Sequence, residues 1–123
     1  MQPGWIFAVM VGGALGSLTR LLLSLAIQKQ AVLSFPLATF LANAASCLLM
    51  GLFFRTSLAN GAADTMRIFA VTGFCGGLST FSAFSYETLM LARSGHWSWA
   101  FSNILLNVSF CLVILFMLLK KHP

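Results

Sequence analysis

The chain has 123 residues, 59% of them hydrophobic and 7% charged, and a formal net charge of +5 from seven Lys/Arg against Asp64 and Glu87. No water-soluble domain of this size needs so apolar a surface, so the composition points to an integral membrane protein built as one domain. The basic residues are scattered at the ends of apolar runs, which suits interfacial anchoring and shows no nucleic-acid pattern.

Span 1 is predicted from Trp5 to Ile27. It is long enough to cross a bilayer and has no basic region before it, so it is not read as a cleavable signal. Gly12 and Gly16 make a small-xxx-small seam, with Gly13 and Ser17 beside it. Arg20 follows Gly16 at i+4, inside the apolar run. It either snorkels to the interface, or pairs with carbonyls or faces a wet vestibule. Gln28 to Ser34 reads as a short loop. Span 2 follows from about Phe35 to Phe54, with Pro36 suited to its first turn. Its strongly polar residue is Asn43, with Ser46 and Cys47 at i+3 and i+4. An amide there either bonds a neighbouring helix or lines a pathway.

Thr56 to Thr65 is polar, with Asn60-Gly61 as a turn signal and Asp64 near the next helix start. Span 3 runs from about Met66 to Leu91. Its middle reads Gly73-Phe-Cys-Gly-Gly-Leu-Ser-Thr-Phe-Ser-Ala-Phe-Ser85. Glycine is poor in a helix interior, so an interruption is expected near Gly76–Ser79. Broken backbone in a bilayer is tolerated where it is buried in protein or lines a wet cavity. The stretch is therefore either a site or a Gly-rich packing seam. Phe81 and Phe84, three apart, should point to one side, with Thr80, Ser82 and Ser85 around them. Glu87 lies near the exit, as a mouth residue or one member of an ion pair with Arg93.

Ser94-Gly95-His96 is the last turn, and Trp97 and Trp99 form an interfacial belt. Span 4 runs from about Ser98 to Leu119, followed by Lys120, Lys121 and His122. Asn103, Asn107 and Cys111 recur at i+4 as a polar stripe, either a water or ion track or a hydrogen-bonded interface. Cys47, Cys75 and Cys111 each sit in an apolar run, which indicates neither a disulfide framework nor a CxxC metal site. Four spans put both termini on one side. That side holds Arg55, Arg67, Lys120 and Lys121; the other holds Lys29 and Arg93, with Arg20 nearer to it. So small a bias permits insertion both ways, and two inverted copies can then build a midplane site.

Catalysis finds little support: there is no Ser-His-Asp set, no paired carboxylates and no phosphate loop. An anion path fits better. Its donors would be the amides of Asn43, Asn103 and Asn107 and the hydroxyls of Thr80, Ser82 and Ser85. Phe81 and Phe84 can add the positive edges of their rings. Conduction needs binding weak enough to allow exit.

Residues 73–85 resemble the signature of the CrcB/Fluc fluoride channel family. Gly12-Gly13-Ala14-Leu15-Gly16-Ser17-Leu18-Thr19-Arg20, Thr39-Phe40-Leu41-Ala42-Asn43 leading to Gly51, and Glu87 match it as well. The resemblance implies a passive fluoride channel of the inner (plasma) membrane that lowers cytoplasmic fluoride. It implies an all-α fold of four spans, the third broken, assembled as an antiparallel dual-topology homodimer. Asn43, Phe81 and Phe84, with Thr80, Ser82 and Asn107, would line the fluoride pore, and Arg20 and Glu87 would sit at its vestibule or mouth. A structural sodium ion (Na+) would be held at the dimer centre by the backbone carbonyls of Gly76 and Ser79 from both copies. Ser79 and Ala83 stand where the family often has Thr, Ala45-Ser46 where a glycine is common, and Cys111 where a hydroxyl is expected. Two other classes remain to be separated by flux measurements: a small multidrug resistance-type exporter, which would want a carboxylate in span 1, and a non-transporting assembly subunit.

Overall fold

The computed structural model describes residues 2–29 and 35–120, leaving out the side chains of 57–60. Residues 30–34 of the predicted first loop, and Lys121 and His122, lie outside the described residues. Five helices form, and no strand is present among the described residues: α1 (Pro3–Gln28), α2 (Leu37–Asn60), α3 (64–78), α4 (Phe81–Arg93) and α5 (Trp97–Leu119). Together α3 and α4 make the third of four stretches long and apolar enough to cross a membrane. Pro3 opens α1, where its missing N–H costs nothing. Asp64 opens α3, where a carboxylate meets the positive helix end. Gly95, at φ 83°, makes the turn between α4 and α5.

The third span is broken, but not by its glycines. Gly76–Leu78 is helical, with Gly76 at φ −64°, ψ −36°. The chain leaves the helix at Ser79 (φ −77°, ψ 155°) and Thr80 (φ −153°, ψ 117°). The interruption therefore falls at the end of the predicted Gly76–Ser79 interval and extends one residue past it. The glycines serve packing instead. A Cβ on Gly12 would lie 2.5 Å from the Phe69 carbonyl oxygen, and one on Gly77 would lie 2.5 Å from that of Gly13. A Cβ on Gly16 would collide with the Phe74 carbonyl. Thus α1 and α3 meet backbone to backbone along Gly12, Gly13, Gly16, Gly73 and Gly77, the small-residue mode of membrane helix packing. The sequence leaves site and seam as alternatives for this stretch; the seam is present, and the break lies a few residues from it.

Between Ile68 and Cys75, α3 is wound as a π-helix. Such wide turns carry i+5 hydrogen bonds and occur mostly as local insertions in α-helices. No residue type in this stretch announces it. The first half ends on the Cys75 carbonyl, which accepts from the Ser79 amide (3.0 Å), the Ser79 hydroxyl (2.9 Å) and the Ser46 hydroxyl of α2 (2.9 Å). The second half begins at Thr80, whose Oγ1 caps the helix by accepting from the Ala83 amide at 3.2 Å.

The seam yields a direct expectation. Gly12→Ala or Gly77→Ala should destabilise the fold by about 1–3 kcal/mol, the usual cost of overpacking. Gly4→Ala, with nothing within 4 Å of its Cβ, should be neutral. Thermal unfolding in detergent, followed by circular dichroism, checks the contrast.

Candidate functional site

The break frees backbone donors in the middle of an apolar span, that of Thr80 among them. In an uninterrupted helix the Thr80 amide would donate to the Gly76 carbonyl. Here it donates to Asn43 Oδ1 on α2, at 2.8 Å. That single bond sets the direction of a chain of side chains. With its oxygen taken, Asn43 turns Nδ2 to Asn107 Oδ1 on α5 (3.0 Å). Asn107 Nδ2 in turn reaches Asn103 Oδ1 (2.8 Å) and the Asn103 carbonyl (3.1 Å). Asn103 Nδ2 donates to Thr88 Oγ1 (2.8 Å), and Thr88 returns its proton to the Phe84 carbonyl (2.7 Å). Every amide orientation follows from the fact that a peptide N–H can only donate. Asn103 and Asn107 are buried, at 0% and 5% exposure, so their satisfaction is obligatory.

The amides differ in what they have left. Asn107 directs its NH2 group to two acceptors of Asn103 and keeps no free donor. Asn43 has two N–H bonds, and only one finds an acceptor among the described residues. Asn43 also lines a cleft of about 250 Å3, together with Ser79, Thr80, Phe81, Phe84, Asn107, Cys47, Val108 and Cys111. The unpaired amides at the start of α4 border the same space and carry the positive end of the helix dipole. No charged side chain lines it among the described residues.

The two phenyl rings lie 5.6 Å apart, their planes inclined by 45°. They share the cleft, as their spacing predicts, but not the same depth. Phe84 is packed to 9% exposure while Phe81 stands 79% exposed. Phe84 also borders a second groove, of about 440 Å3, with Ser85, Thr88 and Trp97. Ser82 lies beside the cleft, its hydroxyl 3.2 Å from that of Thr80.

The remaining predicted residues fall outside the cleft lining. Glu87 Oε1 accepts from Thr39 at 2.7 Å, and its Oε2 is buried with no partner among the described residues. The ion pair with Arg93 is thus replaced by a hydroxyl from α2. Arg20 is half-buried on α1, with Nε buried and without a partner among the described residues. Gly76 is exposed on the outer side of α3. Thr39, Thr88, Cys47 and Val108 belong to the site or its support and carry no sequence signal alone. Thr39 and Cys47 each stand one turn from Asn43, and Thr88 one turn from Phe84, so helical spacing from those residues finds them.

Four apolar spans, one of them broken beside an uncharged and mainly apolar cleft, define a small multi-pass membrane protein. Residues 7–118 match the family described as CrcB-like protein, Camphor Resistance (CrcB), and the chain belongs to that family. Relatives named "Fluoride-specific ion channel FluC" resemble it along most of their length. That of Flavobacterium psychrophilum is 45% identical over 104 residues, covering 84% of each chain. That of Campylobacter lari is 41% identical over 110 residues, covering 89% of this chain and 90% of its own. That of Pyrococcus abyssi is 40% identical over 116 residues, covering 89% and 88%.

Asn43 variants separate support of the backbone from donation into the cleft. Asn43→Leu leaves the Thr80 amide without an acceptor and should cost about 1–3 kcal/mol. Asn43→Asp keeps the acceptor and should preserve protection of that amide. Hydrogen exchange at Thr80 is expected to be fast in the first variant and slow in the second.

Proposed function

We propose that this chain is a passive fluoride channel that lets the anion leave the cytoplasm and so lowers its toxicity. The observation that carries the reading is Asn43, with one N–H unpaired among the described residues, in the lining of a cleft that holds two phenyl rings and no charged side chain among those residues. A small hard anion can exchange its water for this amide, the Thr80 and Ser82 hydroxyls and the positive ring edges of Phe81 and Phe84. With no cation beside the path, binding stays weak enough for release. Asn107 holds Asn43 in place rather than donating itself. Arg20 and Glu87 stand at the mouth. The names of the relatives support the same solute. A negative-inside potential drives the anion outward with roughly 2.3 kcal/mol per 100 mV, so no coupled energy source is needed.

The working unit of this reading is an antiparallel, dual-topology homodimer in the cell inner membrane. The small Lys/Arg bias supports it, as does the exposure of Phe81, a ring of the cleft left open in one copy. The outward Gly76 supports it too. Diversion of the Thr80 amide to Asn43 frees the Gly76 carbonyl, and Ser79 is extended beside it. Neutral carbonyl oxygens suit a hard monovalent cation, so Gly76 and Ser79 of two copies fit a structural sodium ion. Such an ion would neutralise the carbonyl ends of the two broken helices.

Fluoride efflux from proteoliposomes tests the channel. Phe81→Ile and Phe84→Ile should each cut flux by orders of magnitude while leaving the elution profile unchanged, since each ~1.4 kcal/mol of barrier is tenfold. Near-normal flux in both would refute edge-on coordination. Absence of fluoride flux in the native chain would refute the function. Gly76→Val tests the dimer separately. Beyond its chain neighbours and its own helical turn, a Gly76 Cβ meets only the Val71 carbonyl oxygen, at 3.8 Å, so a side chain begins there without a clash. Loss of the dimer and of sodium dependence, with the helix content intact, is expected. C-terminal topology reporters should show both orientations.

A further inference from the structure

The cleft wall holds a pair of residues that the anion path does not use. Helices α2 and α5 run in the same direction with a constant offset. Asn43 bonds Asn107, 64 residues on. Two turns further, a Cβ on Gly51 would meet Leu118 at 2.6 Å and Leu115 at 3.5 Å, the second of them at the same offset. Cys47 and Cys111 occupy the register between these two pairs, each one turn on from a member of the Asn43–Asn107 pair. Both are reduced and only partly buried, and both line the cleft. Cys75 is different: it is 2% exposed and does not line the cleft.

We propose that Cys47 and Cys111 form a two-thiolate site for a thiophilic d10 cation such as Hg(II), and that occupation of this site closes the cleft. Soft sulfur ligands select soft metals. No carboxylate or imidazole lines the cleft among the described residues, so a hard divalent cation finds no ligand set there. Two thiols on facing helices, one turn from Asn43, suit a linear two-coordinate metal bridging α2 and α5. On binding, two S–H bonds break and two S–metal bonds form. Two protons leave to water, and no electron is transferred. The bound unit is neutral, two thiolates cancelling the charge of the metal, so it closes the cleft by its bulk beside Asn43. The pair arises because cysteine stands at 111, where the family resemblance implies a hydroxyl. Closure of the cleft rests on the channel reading; binding of the metal does not.

The test uses purified native protein and mercuric chloride, with two readouts. The first counts thiols by maleimide labelling and mass spectrometry after one equivalent of Hg(II) per chain. Two of the three thiols should be protected, and they should be Cys47 and Cys111. Protection of a single thiol, or of Cys75, overturns the site. The second readout is fluoride efflux. Hg(II) should reduce it to background in the native chain and in Cys75→Ala, with recovery on adding a dithiol. In Cys47→Ser and Cys111→Ser, flux measured against each variant's own uninhibited rate should resist the metal. Protection of both thiols with undiminished flux overturns closure. If the native chain conducts no fluoride, the channel reading fails while the thiol count still decides the site.

Discussion

The structure turns on one backbone N–H. The Thr80 amide lies midway along a span with no water to accept from it, and an unsatisfied group there costs several kcal/mol. Asn43 supplies the acceptor from a different helix. That choice orients the Asn43 amide and with it Asn107, Asn103 and Thr88. The second hydrogen of Asn43 finds no acceptor among the described residues, and Asn43 lines the cleft. Support of the broken helix and presentation of a donor are thus two ends of one side chain. A polar group that is indispensable to the fold is in this way kept in mid-membrane at no additional cost.

A break also needs a rigid frame, or the two half-helices would slide. The first half is pinned by backbone contact with α1, where Gly12, Gly16, Gly73 and Gly77 leave no room for a side chain. It is closed by the Cys75 carbonyl, which takes donors from α2 and from Ser79. The second half is held through side chains: Thr39 to Glu87 from α2, and Asn103 to Thr88 from α5. Helix α2 therefore touches both halves and the break itself. This explains why polar residues recur along one apolar helix at Thr39, Asn43 and Ser46.

The cleft is built from partial charges alone. Its donors are an amide N–H, hydroxyls, ring edges and the start of α4, each weak by itself. A full cation would bind an anion more tightly and slow its release. The carboxylate of Glu87 is kept off the cleft lining by its bond to Thr39. The soft thiols of Cys47 and Cys111 add no charge to the wall while they remain protonated.

Much of this was legible in the residues. Composition determined the membrane setting. The four spans follow from apolar runs long enough to cross a bilayer, because lipid leaves the backbone no option but to bond within its own helix. An interruption of span 3 is expected from its glycines, which do not make it, whereas the pairing of Phe81 with Phe84 follows from ring spacing. Tertiary structure alone decided where the chain breaks. Gly77 stays helical with α1 pressed against it, and Ser79 and Thr80 open because Asn43 is there to accept. It also decided which polar residue keeps a free donor. Asn43 and Asn107 are the same residue type, each inside an apolar span. They differ only through the partners that other helices bring, and no local pattern records that difference.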